Sequence, residues 1–431
     1  MRRLLRAGSL LTASGMLLLA IPTPAAAGVG NQWALQKLRA QEAWKYTQGE
    51  GVTVGLVDSG ADATHPDLKG QVVPGKDFYR GTGDGTTDPD GHGTAMASII
   101  AGTGHAPSGV LGLAPKARIY PMVTGDVGSP NRLSRAKAIK YAADQGIKVL
   151  NISEGGPITN PELAKDNPEK EAIEYALRKD VVVIAGAGNT GSNQPFYPAA
   201  YLGVIAVSAV DQNKSPWHKS GHGSWVTVAA PGVDIYAAEP GGEYDTGNGT
   251  SQATAYVSAT VALIRAKFPE LSANQVIHRL IKTADDCGPP GKDDYCGYGM
   301  INPVRALTED VGEWPRDKNP LAPELTAAQP TSQPQAGGSG DEGSGSVLVW
   351  ALGGLLAVGA VIALVVLLAR RGGNRNQPPG GGGWPPPPGP PGPYGPPPGP
   401  PQYQQAGAPP GPWHQPGPPP PPPPGWQQPR R

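Results

Sequence analysis

One stretch limits what the rest of the chain can become. Val347 to Ala369 is 23 residues without a charge, about 35 Å long as a helix and so long enough to cross a bilayer. Arg370, Arg371 and Arg375 follow it, while Asp341 and Glu342 precede it. Cytoplasmic flanks carry the Lys and Arg excess. The run therefore predicts a single-pass protein, with residues 347–369 in the lipid bilayer, residues 28–346 outside and residues 370–431 in the cytoplasm. A buried core helix is the competing reading, but the stretch is too long and too uniformly apolar for one. The amino end agrees with this topology. Arg2, Arg3 and Arg6 precede a Leu/Ala-rich run from Ala7 to Ala20, and Ala25-Ala26-Ala27 offers small residues for cleavage, so residues 1–27 read as a signal peptide.

Composition divides the remainder. Of 62 Gly and 52 Pro, 14 Gly and 26 Pro lie in residues 372–431, which predicts an extended, polyproline-like cytoplasmic tail. Residues 311–346 are Pro, Ala, Gln, Ser and Gly with few large apolar side chains, the composition of a flexible linker. That leaves residues 28–310 for a folded external domain. The formal net charge of +0 supplies no basic face for nucleic acid. Cys287 and Cys296 both fall on the external side, where thiols tend to be oxidised. A bridge between them closes a short loop and contributes at most about 3 kcal/mol. Two Cys with no adjacent His make an incomplete metal ligand set.

Within the domain, Val52–Val57, Lys148–Ile152, Val181–Ala185 and Val204–Val210 are continuous and β-branched, as buried strands are. Between them lie helical patterns. Arg132–Gln145 spaces Leu133, Ala136 and Ile139 at helical intervals. Asn167-Pro168, with Glu169 and Glu171 behind it, marks a helix start, and Arg178-Lys179 closes that helix. Ser251–Lys267 is a third helix, and Ser272 with Gln275 forms the capping box of a fourth. Alternating strand and helix predict an α/β domain of three layers, a mostly parallel sheet covered by helices on both faces.

Three short segments carry residue types suited to covalent catalysis, each where a strand or loop meets a helix. Asp58 follows a strand in Asp58-Ser59-Gly60; His92 sits in Asp90-Gly91-His92-Gly93-Thr94; Ser251 sits in Gly249-Thr250-Ser251. Alone, the Asp reads as a turn residue and the Ser as a helix cap. Together, and flanked by Gly or small residues that let a substrate approach, they read as acid, base and nucleophile. A Ser hydroxyl attacks a carbonyl only when a base takes its proton. His is the side chain suited to that exchange near neutrality, and an Asp fixes its tautomer.

The order Asp, His, Ser and these segments resemble the subtilisin-like serine proteases, a likeness covering residues 31–307 and including Trp33–Trp44 and Thr64-His65-Pro66-Asp67-Leu68. The resemblance implies a protease domain over 28–310, a subtilisin-like fold and a polypeptide substrate. It also implies that the Asn189 side-chain amide, with the Ser251 backbone N–H, stabilises the oxyanion. Asn151-Ile152-Ser153-Glu154-Gly155-Gly156 resembles the family's substrate-pairing edge, so Ser153, Glu154 and Gly155 are expected to bind the peptide by strand addition. The family usually has an apolar residue where Glu154 stands. We expect Glu154 either to bias the cleft toward basic or small side chains or to lie solvated at its edge.

Other hydrolase chemistries fit less well. The α/β-hydrolases place Ser before the acid and His. Zinc proteases need paired His on a helix, whereas His218 and His222 flank Ser220-Gly221 in a loop. No metal site and no cofactor are assigned. After Ser251 the family often has Ala-Ala-Pro; here Gln252 is followed by Ala253-Thr254-Ala255. Only about 30 residues separate the expected cleavage site from Asp58, too few for a folded inhibitory propeptide. This arrangement of a short extension, protease domain, single span and small tail resembles the mycosins, which implies association with a type VII secretion membrane complex. A scaffold role in such a complex, with proteolysis dispensable, is the alternative. An ordinary His92 predicts activity rising near pH 6–7.

Overall fold

The continuous β-branched runs become neighbouring strands of one sheet. The computed structural model describes residues 32–105, 108–126, 131–158 and 167–322. The chain divides into two compact units, Met1–Gln335 and Ala336–Arg431, and all described residues belong to the first. The expected signal peptide, the 347–369 run and the tail lie outside the described residues. Among the described residues, no helix is long and apolar enough to cross a membrane.

In chain order the elements are α1 (Trp33–Lys37), α2 (Ala40–Ala43), β1 (Thr53–Asp58), β2 (Lys76–Asp77), α3 (His92–Ala101), β3 (Arg118–Val123) and α4 (Arg132–Asp144). There follow β4 (Val149–Ile152), β5 (Gly156–Pro157), α5 (Pro168–Arg178), β6 (Val182–Gly186), β7 (Phe196–Tyr197), β8 (Ile205–Val210) and β9 (Val228–Pro231). The last are β10 (Ile235–Glu239), β11 (Glu243–Gly247), α6 (Thr250–Lys267), α7 (Ala273–Lys282) and α8 (Pro303–Thr308). Seven strands form a sheet in the order β2-β3-β1-β4-β6-β8-β9, every pairing parallel. Two antiparallel pairs, β10–β11 and β5–β7, stand apart from it.

Side-chain alternation assigns each strand residue to one of two layers. Val54 and Leu56 join α3 and α6 in one core, and Val57, Leu150 and Ile152 join α4 and α5 in the other. Helix α6 is buried around almost its whole circumference, which its run of Ala, Ser and Thr permits because small side chains let neighbouring layers close in. The anticipated caps are in place. Asn167 accepts from the Glu169 N–H at 3.0 Å, and Ser272 and Gln275 make both bonds of a capping box.

One feature was not read from the sequence and another departs from it. β3 holds Pro121 in its middle, a residue that argues against an interior strand. It is accommodated because the ladder to β2 begins only at Met122. Residues 311–322, expected within the linker, pack onto α7. The Trp314 ring stacks on His278 with centroids 4.6 Å apart. The Arg316 carbonyl accepts from Ser272 Oγ and Asn274 Nδ2 at 3.2 and 2.8 Å. Ala322 is fully buried and Leu321 packs on the core. A few apolar anchors suffice to hold a polar segment in place.

Candidate active site

β1 lies between β3 and β4, so the chain moves to one side of β1 and then crosses to the other. Such a reversal leaves a crevice at the carboxyl ends of the strands. Asp58 is the last residue of β1 and is fully buried. His92 opens α3, presented by Gly91 at φ 96°, a left-handed conformation that glycine adopts without steric cost; a Cβ there would come within 2.6 Å of Glu239 Oε2, whose side chain would have to move. The buried Asp88 carboxylate holds the same turn by accepting from Gly91 N–H (3.1 Å), Thr94 N–H (2.8 Å) and Thr94 Oγ1 (2.7 Å). Asp88 escaped the sequence reading; an Asp three residues before a Gly-His pair was its only signal. Ser251 lies in the first turn of α6.

These elements bring the expected residues together. His92 Nδ1–H donates to Asp58 Oδ1 at 2.7 Å, which leaves Nε2 as the ring's acceptor. Asp58 Oδ1 also accepts from the Ser59 N–H at 2.9 Å. The Ser251 hydroxyl donates to the Ser153 carbonyl at 3.2 Å, not to His92, so a bond between Ser251 and His92 requires a rotation of the Ser251 side chain. Such looseness is common before a substrate arrives. Asn189 follows β6, and its Oδ1 accepts from both Thr250 N–H and Thr250 Oγ1 at 2.9 Å. Nδ2 is thereby left as the free donor end of the amide. His92, Ser153, Glu154, Gly155, Asn189 and Ser251 line one cavity of about 230 Å³, joined there by Asp126, Phe196 and Gln252. A larger cavity of about 500 Å³ lies at the amino ends of the strands. Its cations Lys148 and Arg265 pair with Asp180 at 3.3 and 3.4 Å, and no Ser, Cys or His is among its lining residues.

The segment after β4 is held from both sides, in step with its two-residue period. On the α6 side, Ser258 Oγ donates to Asn151 Oδ1 (2.9 Å) and Asn151 Nδ2 donates to Ser153 Oγ (2.8 Å). On the α4 side, Arg132 donates to the Gly156 and Pro157 carbonyls at 3.1 and 2.8 Å. Glu154 turns the same way. Its side chain is only 6% exposed and its Oε2 lies 3.6 Å from Arg135 Nη1, while Oε1 accepts from Thr124 Oγ1 at 3.1 Å. The expectation of a solvated Glu154 is corrected here: Glu154 alternates with the core residue Ile152 and is carried inward by the same face.

Electrostatics corrects the expectation of an ordinary His92. Burial opposes its charged form, but the Asp58 carboxylate, by charge and hydrogen bond, and the charges of Glu154 and Asp90 outweigh burial and push it up to about 9. Burial and the Asp58 charge push Glu154 up to about 8, against the pull of Arg135, Thr124 and His92. Away from the cleft, Cys287 and Cys296 are joined in a disulfide, which packs with Val210, Ala229 and Met300. Among the described residues, no group of three or more His, Cys, Asp or Glu is arranged to hold a metal ion.

Residues 49–299 match the model of the subtilase family. Thermitase of Thermoactinomyces vulgaris is 38% identical over 280 residues, covering 64% of this chain and 95% of thermitase. Mycosin-1 of Mycobacterium tuberculosis is 35% identical over 335 residues, covering 66% of this chain and 74% of mycosin-1. Among solved structures, the serine protease MycP1, described as an essential component of the type VII (ESX-1) secretion system, aligns with a TM-score of 0.60 at 35% identity. That alignment covers 67% of this chain and 91% of MycP1.

Proposed function

The chain belongs to the subtilase family of serine proteases, and from that premise we propose that Asp58, His92 and Ser251 hydrolyse peptide bonds outside a membrane. The observation that carries the reading is the 2.7 Å bond from His92 Nδ1 to the buried Asp58, with Ser251 and Asn189 in the same cavity. A peptide lies along Ser153–Gly155 as an added strand. Ser251 Oγ leaves the Ser153 carbonyl, turns to His92 Nε2 and attacks the scissile carbonyl as Nε2 takes its proton. Asn189 Nδ2 and the Ser251 N–H receive the developing oxyanion. His92 then gives the proton to the leaving amine, and water repeats the sequence on the acyl-enzyme.

The likeness to mycosin-1 and MycP1, with the apolar run 347–369, supports a membrane-anchored protease acting beside a type VII secretion complex. Two measurements test the proposal. A fluorophosphonate probe is expected to label Ser251 in the full-length protein; labelling no higher than in Ser251→Ala would remove the catalytic reading. Labelling should rise with pH toward about 9, since only neutral His92 accepts the proton. Proteins secreted by native and Ser251→Ala cells should differ by at least one unprocessed substrate. Identical secreted sets, with secretion lost only on full deletion, would favour the scaffold.

A further inference from the structure

The catalytic reading leaves one ionisable group beside the triad without a role. Glu154 follows the residue that receives the Ser251 hydroxyl, yet its carboxylate faces away from solvent. The Thr124 that donates to Glu154 Oε1 also binds the Asp58 carbonyl through its backbone N–H at 3.1 Å. Asp58 Oδ2 and Glu154 Oε2 are both buried and accept no hydrogen bond among the described residues. Two buried carboxylates thus flank one cavity with one imidazole at its wall and one guanidinium behind it. In such a region charges act over short distances with little screening.

Resting on the triad reading above, we propose that Glu154 is a positioning residue for the Asp58–His92 pair, its charge setting the pH at which His92 becomes a free base. The groups around it come from every neighbouring element. Asp58 ends β1, and His92 and Asp90 stand at the start of α3. Thr124 follows β3, and Arg135 comes from α4 with Glu169 of α5 behind it at 2.6 Å. At the rim Asp126 pairs with Arg80 at 3.1 Å, and Glu239 of β10 lies against Gly91. Ionised Glu154 stabilises the imidazolium. Asp58 and burial resist that ionisation, while Arg135 favours it. The two protons are therefore lost in coupled steps. The ranges agree, Glu154 being pushed up to about 8 and His92 to about 9. An apolar residue at this position would hold the cleft edge equally well but could not move the base.

The test is the pH dependence of fluorophosphonate labelling at Ser251 in the full-length protein, native against Glu154→Gln. The amide keeps the size of the side chain and an oxygen for Thr124. Removing the negative charge should lower the acid-limb midpoint by about half a unit to one unit, so labelling below the midpoint should rise about 3- to 10-fold. An unchanged midpoint overturns the proposal while leaving the triad standing, and no labelling of the native chain at any pH removes both. Should Glu154→Gln fail to fold, the His92 ring is titrated by NMR in Ser251→Ala. Two resolved steps are expected there, and a single step overturns the proposal.

Discussion

The two faces of the sheet are kept dry by different chemistry. On the α3/α6 face the buried layer is mostly Ala, Val, Ile and Leu with Ser and Thr, and its centre holds neutral hydrogen bonds such as Ser258 to Asn151. Charge sits there at helix ends: Asp88 at the start of α3 and Arg265, paired with Asp180, in the last turn of α6. On the α4/α5 face a comparable apolar layer surrounds ions. Arg135 and Glu169 are fully buried and joined at 2.6 Å, with Arg132 3.6 Å from Glu169 and Glu154 3.6 Å from Arg135. The first face supplies the proposed base and nucleophile from the amino-terminal turns of its two helices. The second meets the same cleft at Glu154, and Arg132 holds the Gly156 and Pro157 carbonyls just beyond it. Neutral packing fixes where groups sit; buried charge adds a property that changes with pH. The division therefore separates geometry from tuning, and substitutions on each face should report different quantities.

The largest effect on stability is expected at Arg135. Arg135→Met takes from Glu154 its cation and leaves Glu169 with the longer 3.6 Å contact to Arg132, and breaking a buried pair from one side costs about 3–5 kcal/mol. Chemical denaturation of the full-length protein measures it. A loss below about 1 kcal/mol would show that the α4/α5 face tolerates uncompensated carboxylates and would collapse the contrast. The next effect is kinetic and belongs to the other side of the cleft. Asn189→Ala removes a side-chain donor from the proposed oxyanion site and should slow peptide hydrolysis on the order of 100- to 1000-fold. The acid-limb midpoint should stay in place, since Asn189 carries no charge. A midpoint that moved would mean that tuning is not confined to the ionic face.

How far the sequence carried this picture follows the range of the interactions. The strands around Val54, Val149, Val182 and Ile205 were legible because parallel strands buried on both faces are continuous apolar runs. The caps at Asn167 and Ser272 were legible because their partners lie two or three residues away. Asp58, His92 and Ser251 stood out through their small flanking residues. What stayed hidden needed distant partners. Arg132 and Arg135, three apart on α4, carry no local sign of burial until Glu169, 34 residues beyond Arg135, is brought against them. Glu154 carried a usable local signal, its alternation with Ile152, but the charge of the side chain argued for solvent. β2, β5 and β7 are two residues long, too short for any period to register.

The smallest expected effect is the control that the comparison needs. Ile264 is fully buried in the hydrophobic cluster of the α6 layer. Ile264→Val removes one methylene and should cost about 0.5–1.5 kcal/mol, the sum of lost transfer energy and a cavity its neighbours only partly fill. Nothing ionisable is exposed or stranded by that change, so the labelling rate and its pH midpoint should match the native protein. If Ile264→Val shifted the midpoint as Glu154→Gln is expected to, the shift would have to come from movement of the sheet. His92 would then answer to packing on either face, and Glu154 would lose its claim to a specific electrostatic part. If the midpoint holds while stability falls, geometry and tuning are separable, and the charge on the α4/α5 face is what moves the base.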